Sequence, residues 1–450
     1  MFGFERFSYI QIISSGFFLL AVIAFLLVGQ LKYTFIIEYS VEVLNVTGSS
    51  FHYNLWGSLS KLWDEELYFL YAFLLIWSGL WPFLKLLLLT ILIVYPFSND
   101  FKLRYLDWIA TLGVWSFADI WVVVMISIVL NAQKTINIDE STSITAELQV
   151  TPLDGVIILF FGLFLSQLIN IGAIFWYHSK STSASLGAYT PLALSATSEG
   201  DGTHDNEDHD FPFYCCCLKF LSHKQREVID WLAKFSYIAL LIVFFVGMFF
   251  LPILKINYVV MKKYDSVSEY SVFSGIMHLE KVVSESQGEG KLGQYFLFLI
   301  SMIFVVVFPI VQQAGVAFIW GLPQLSANYV ADMGLFTSPK TIRPINRLME
   351  VISHFCSLEV FLVSCFFVSH ELGSLLSNLA LGKYLTIEIT ILPQFYVFGT
   401  VTVILSIAKC YVWQGYIAAG ASDVFSVHTN DTTRVRPLMA EYGRGNSIVL

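Results

Sequence analysis

Apolar residues in this chain come in long blocks separated by short polar stretches. Eight blocks approach or exceed the roughly twenty residues with which a helix crosses a hydrocarbon core while bonding every backbone group internally. They run from Tyr9 to Lys32, Leu67 to Tyr95, Trp108 to Asn131, Gly155 to Tyr177, Phe235 to Leu254, Tyr295 to Trp320, Leu348 to Ser369 and Phe395 to Tyr416. The first is long for a signal-peptide core and no small-residue cleavage site follows it, so it reads as a helix of the mature protein. Just after it the period changes: Tyr39, Val41 and Val43 alternate with Glu38, Ser40 and Glu42, as in a strand.

One polar stretch is longer than the rest. From His178 to about Phe211 it is rich in Ser, Ala, Gly, Thr and acids, the composition of a disordered linker. Cys215, Cys216 and Cys217 follow. Beyond them Leu221, Val228, Leu232 and Phe235 recur at helical spacing among Lys224, Arg226 and Asp230, which predicts an interfacial amphipathic helix. The three cysteines are acylation candidates beside it; apolar packing or reduced surface thiols account for them equally well.

The two sides of this linker repeat each other. Tyr53-Asn54-Leu55-Trp56-Gly57-Ser58 in the first half corresponds to Tyr270-Ser271-Val272-Phe273-Ser274-Gly275-Ile276 in the second. A long apolar helix broken at a proline comes next, with Trp81-Pro82-Phe83-Leu84-Lys85 in one half and Phe308-Pro309-Ile310-Val311-Gln312 in the other. The third helix of each half carries an acid inside its apolar run: Asp119 in Trp115-Ser116-Phe117-Ala118-Asp119, and Glu359 in Phe355-Cys356-Ser357-Leu358-Glu359. The predicted fold is an all-α membrane protein of about eight transmembrane helices in two tandem four-helix modules, with small β-rich outer loops. Residues 1–177 form the first module, 178–217 the linker, 218–416 the amphipathic helix and second module, and 417–450 a cytosolic tail.

These motifs resemble the paraquat-inducible protein A family, whose bacterial members work in lipid transport across the envelope. Gly57, Pro82, Lys85, Trp115, Ser116 and Asp119 match the family's positions in the first module. Leu251-Pro252-Ile253, Gly275, Pro309 and Glu359 match in the second, where Gln312 stands in place of a Lys and the Trp-Ser pair is missing. The resemblance implies a multi-pass protein of lipid transport or membrane lipid homeostasis. Bacterial members carry paired CxxC zinc ribbons before each module; this chain has none, so no metal site is expected. The linker composition and an Asn45-Val46-Thr47 sequon point to a eukaryotic host, and no partner identity carries over from the bacterial members.

Composition agrees with the block pattern. Hydrophobic residues make up 56% of the chain and charged residues 13%, an excess that a lipid-facing surface explains. The formal net charge of -9 lies almost entirely in the loops and so reports sidedness. Lys102 and Arg104, then Lys340, Arg343 and Arg347, then Arg434, Arg436 and Arg444 fall on one side, the expected cytosol, with both termini. Glu38, Glu42, Asp64, Glu65, Glu66, Asp139, Glu140, Glu147 and Asp154 fall on the other, where Asn45 is a glycosylation candidate. Whether the membrane is the plasma membrane or an internal one stays open.

Ionisable groups at membrane depth face the bundle interior or a wet cavity and find partners there. Lys85, Ser116, Asp119, Gln312 and Glu359 are therefore the candidate lining of a substrate cavity, with Pro82 and Pro309 as helix kinks that open it or shape packing. In one reading Lys85 attracts a lipid phosphate while Asp119 and Glu359 line the cavity. In the other, Lys85 and Asp119 form an ion pair that fixes helix packing, with Ser116 beside it. His354 is a candidate proton shuttle or a satisfied interior histidine. No phosphate loop, HExxH or GxSxG motif is present, so no enzyme activity and no cofactor are expected. No basic face suggests nucleic acid; membrane lipids, with a membrane protein as a further partner, are the expected ligands. An adaptor or stress-response component acting through its outer loops is the alternative reading.

Overall fold

The computed structural model describes residues 9–41, 46–47, 51–95, 97–130, 132–139, 142–189, 223–260, 264–285, 291–321, 348–349, 351–378 and 385–418. Asn45 and Cys215, Cys216 and Cys217 lie outside the described residues. The chain is mostly helical, and six helices are long and apolar enough to cross a membrane: Tyr68–Val94, Phe101–Leu130, Asp154–Tyr177, Trp231–Phe249, Lys291–Ala317 and Val351–Glu371.

In chain order, helix α1 (Tyr9–Leu31) leads into strands β1 (Phe35–Val41), β2 (Val46–Thr47) and β3 (Phe51–Tyr53) and a short helix α2 (Leu55–Asp64). Helix α3 (Tyr68–Leu74) passes through a π-helical turn, Leu75–Leu80, into α4 (Trp81–Val94). Helix α5 (Asn99–Gly113) passes through a 3-10 turn, Val114–Phe117, into α6 (Ala118–Leu130). A hairpin of β4 (Ala132–Asp139) and β5 (Thr142–Pro152) precedes α7 (Asp154–Tyr189).

After residue 222 a similar order recurs. Helix α8 (His223–Phe249) leads to strands β6 (Leu254–Val260) and β7 (Tyr264–Tyr270) and helix α9 (Val272–Glu285). Helix α10 (Lys291–Ser301) passes through a second π-helical turn, Met302–Val307, into α11 (Phe308–Gly321). Helix α12 (Leu358–Asn378), strand β8 (Leu385–Ile391) and helix α13 (Pro393–Ala418) complete it.

Local chemistry explains these boundaries. The Asn54 side chain accepts from Gly57 N at 2.6 Å and caps α2. At the corresponding place Ser271 and Ser274 cap α9 reciprocally: Ser274 N donates to Ser271 Oγ at 3.1 Å, and Ser271 N to Ser274 Oγ at 2.7 Å. Each proline follows a π-helical turn by one residue. Within an α-helix the Pro82 ring would crowd the carbonyl of Ser78 and could offer it no N–H. The wider turn relieves the crowding, and Gln30 Nε2 on α1 donates to that carbonyl at 2.7 Å.

Two compact units divide the chain. The first comprises Met1–Ala188, Val246–Pro309 and His354–Gly399, and the second Tyr189–Phe245, Ile310–Ser353 and Thr400–Leu450. The first unit holds both sheets. One is ordered β2-β1-β5-β4 with β3 also on β1, and the other β7-β6-β8; every described pairing is antiparallel. Phe35 and Ile37 on β1, and Leu254, Ile256 and Tyr258 on β6, are buried at alternate positions, the period-two pattern of a half-covered sheet. Burial raises the Tyr258 phenol above its ordinary pKa, with the neighbouring Tyr270 adding to the rise, so it stays a donor, to Val129 O at 2.8 Å. Helices α6 and α12 form the centre of this unit: Trp121 meets Phe361 at 6.3 Å and Cys365 Sγ donates to Met125 Sδ at 3.2 Å. In the second unit Tyr237 OH donates to Gln313 Oε1 at 2.8 Å.

Three expectations change. The stretch from His178 to Tyr189, read as the start of a linker, continues α7. The amphipathic stretch around Val228 is not a separate helix, because α8 runs through it unbroken to Phe249. Lys102 and Arg104, read as loop residues, sit in α5, where Ser98 Oγ accepts from Phe101 N at 3.4 Å and starts the helix ahead of the apolar block.

Candidate functional site

The most polar part of the first unit lies inside its spans. Lys85, on α4, is fully buried, and its Nζ donates to Gln167 Oε1 on α7 at 2.8 Å. Gln167 is held on its other side as well: its Nε2 donates to Ala110 O at 2.8 Å and to His354 O at 3.2 Å. One amide thus ties together α4, α5, α7 and the segment leading into α12. Gly113 makes room for it. A Cβ on Gly113 would collide with Gln167 Oε1 and stand 3.1 Å from Lys85 Nζ.

The ion pair between Lys85 and Asp119 does not form; no hydrogen bond or ion pair reaches the Asp119 carboxylate among the described residues. Asp119 is buried in the first turn of α6, directly after the 3-10 turn that joins α6 to α5. Its backbone N donates to Ser78 Oγ at 3.1 Å, so the residue whose carbonyl is freed by Pro82 also anchors the start of α6. Ser116 is buried in the 3-10 turn, and its Oγ has no partner among the described residues. Glu359, half-buried, holds the same first-turn place in α12 that Asp119 holds in α6.

The other candidates lie elsewhere. Gln312 is buried on α11 in the second unit, and its Nε2 has no partner among the described residues. Pro82 and Pro309 both stand second in the α-helix that follows a π-helical turn. His354 is buried, with Nε2 3.7 Å from Oδ1 of the largely exposed Asp107, an ion pair when the imidazole is protonated.

Several residues of this cluster were not singled out by sequence reasoning: Gln30, Ser78, Gly113, Gln167 and Asn170. Asn170 Nδ2 donates to Leu106 O at 3.3 Å, while its Oδ1 and the neighbouring Ser166 Oγ have no partner among the described residues. The available signal was the run Ser166-Gln167 with Asn170 inside an otherwise apolar block, where each amide needs a partner.

Chemically, the arrangement is a buried lysine amine bonded to a neutral amide, with donor capacity left over, and, on another helix of the same unit, a buried carboxylate that keeps its acceptor capacity. No curated protein and no solved structure matches the chain. Residues 19–161, which include Lys85, Ser116 and Asp119, match the family model of paraquat-inducible protein A, and over this stretch the chain is similar to that family.

Proposed function

We propose that this protein is a multi-pass membrane protein of lipid transport or membrane lipid homeostasis, and that its Lys85 cluster serves this work. The observation that carries the reading is Lys85 itself: fully buried in a candidate span and bonded to Gln167 rather than to an acid. An ionisable group placed in a membrane without a counter-charge is costly, which makes it a functional-site candidate. The match over residues 19–161 supports the same reading. Helices α1 and α13 bring the six apolar spans to eight, in two modules of like element order, with Lys102 and Arg104 at the cytosolic ends and the sheets outside. The π-helical turn and Pro82, just before Lys85, supply a place where the helix can shift register and admit a headgroup. The protein works without catalysis, metal or cofactor.

The adaptor reading draws on the two antiparallel sheets, whose outermost strands offer edges to a partner. Lipid extraction separates the two. After exhaustive detergent exchange, purified wild type is expected to keep phospholipid in a fixed ratio to protein. Phospholipid that falls to the level of an unrelated membrane protein, together with a stoichiometric protein partner, would transfer the function to the sheets.

A further inference from the structure

Trp and Tyr in membrane proteins collect at the two interfaces, where ring and polar tip each find their medium. Here they do not stop there. Trp81 has thirteen residues of the span Tyr68–Val94 on either side, and Trp115 stands at the middle of Phe101–Leu130. Trp77 joins them, 5.8 Å from Trp81 and 5.3 Å from Trp115. Toward the basic end Trp81 meets Trp108 at 6.4 Å, and toward the other end Trp115 meets Phe73 at 6.3 Å. One row of rings therefore crosses the centre of the apolar spans. Within it Trp81 Nε1 is buried and has no acceptor among the described residues, although a buried indole N–H ordinarily finds one.

At its basic end the row reaches Trp108, which with Phe101, Arg104 and Tyr105 on the same helix, α5, lines an open groove of about 730 Å³, a size within the usual range of small-ligand sites. The two basic residues of this helix differ in their employment. Lys102 is buried and donates to Tyr177 OH at 3.2 Å. Arg104 is exposed, and its guanidinium has no hydrogen bond or ion pair among the described residues. A guanidinium is a planar fork of donors suited to a phosphate, and no acid stands among the described lining residues to receive the ammonium of a zwitterionic headgroup.

We propose that this groove binds one anionic phospholipid, its phosphate on Arg104 and its acyl chains along the exposed rings of Phe101, Tyr105 and Trp108. The inference rests on the lipid-handling reading and gives it an entry site separate from Lys85. Native mass spectrometry of the full chain in detergent tests it, with phosphatidylglycerol or phosphatidylcholine added to wild type, Arg104→Gln, Trp108→Leu and Trp231→Leu. Wild type retains phosphatidylglycerol over phosphatidylcholine. Arg104→Gln weakens this retention by roughly tenfold, the usual worth of a charge-assisted hydrogen bond. Trp108→Leu weakens it as well, and Trp231→Leu, at an exposed tryptophan on α8, leaves it intact. Equal retention by wild type and the two groove variants overturns the site while the lipid-handling reading stands. No retention by wild type overturns both. Displacement of the lipid by an equal concentration of glycerol phosphate would make this a site for free phosphate, and equal retention of phosphatidylcholine would remove the anionic preference; either result overturns the proposal.

Discussion

Gln167→Leu is expected to be the most damaging single substitution in the first unit, lowering stability by about 3 kcal/mol or more. Leu approximates the volume of Gln but accepts nothing from Lys85 and donates nothing to the carbonyls of Ala110 and His354. Three bonds disappear, and the ammonium is left with no acceptor in a medium that cannot supply water. Lys85→Met is milder, because it removes the charge together with its need for a partner and leaves both donations from Gln167 in place. The double variant, Gln167→Leu with Lys85→Met, should therefore melt above Gln167→Leu alone, a non-additivity expected of residues in direct contact. Thermal unfolding of the four proteins in one detergent reads the difference. Additive losses would mean that Lys85 and Gln167 do not depend on each other.

Gly113→Ala is expected to damage the same cluster with a single methyl group. Its Cβ would occupy the place of Gln167 Oε1 and crowd Lys85 Nζ. The amide sits at the end of a flexible side chain, but its three bonds hold it there, so it can give way only by releasing Lys85. A loss of about 1–3 kcal/mol follows from overpacking a filled interior. The loss should shrink in a Lys85→Met background, where releasing Gln167 Oε1 strands no charge. Melting temperatures of Gly113→Ala with and without Lys85→Met check this, and an equal drop in both backgrounds would place the strain elsewhere.

Much of this architecture was legible because membrane helices announce themselves by block length, and acids by standing out inside the blocks. Asp119 and Glu359 fell at like places, each in the first turn of its helix. The partner of Lys85 was not legible. The pairing joins residues 82 positions apart, and no local period encodes it. Asp119 looked like the natural counter-charge because charge is the stronger signal in a sequence, whereas an amide such as Gln167 is quiet until geometry sets it beside a cation. The prolines suggested breaks without showing their form. Each follows a π-helical turn, and the freed carbonyl of Ser78 is met by Gln30 from a helix 48 positions away. Lys102 and Arg104 were read as a loop because basic residues flank spans; helix α5 starts at Asn99 because Ser98 caps it, ahead of the apolar block.

The central claim is that the buried Lys85 cluster serves lipid handling and is not merely a packing device. Its most direct test is the movement of labelled phospholipid across vesicles containing wild type or Lys85→Met, after melting and lipid retention have shown the variant folded and lipid-bound. Lipid movement by wild type that falls to the level of protein-free vesicles in Lys85→Met is the result the account predicts. Movement at the wild-type rate in Lys85→Met would contradict it and leave Lys85 and Gln167 as a structural bond between helices.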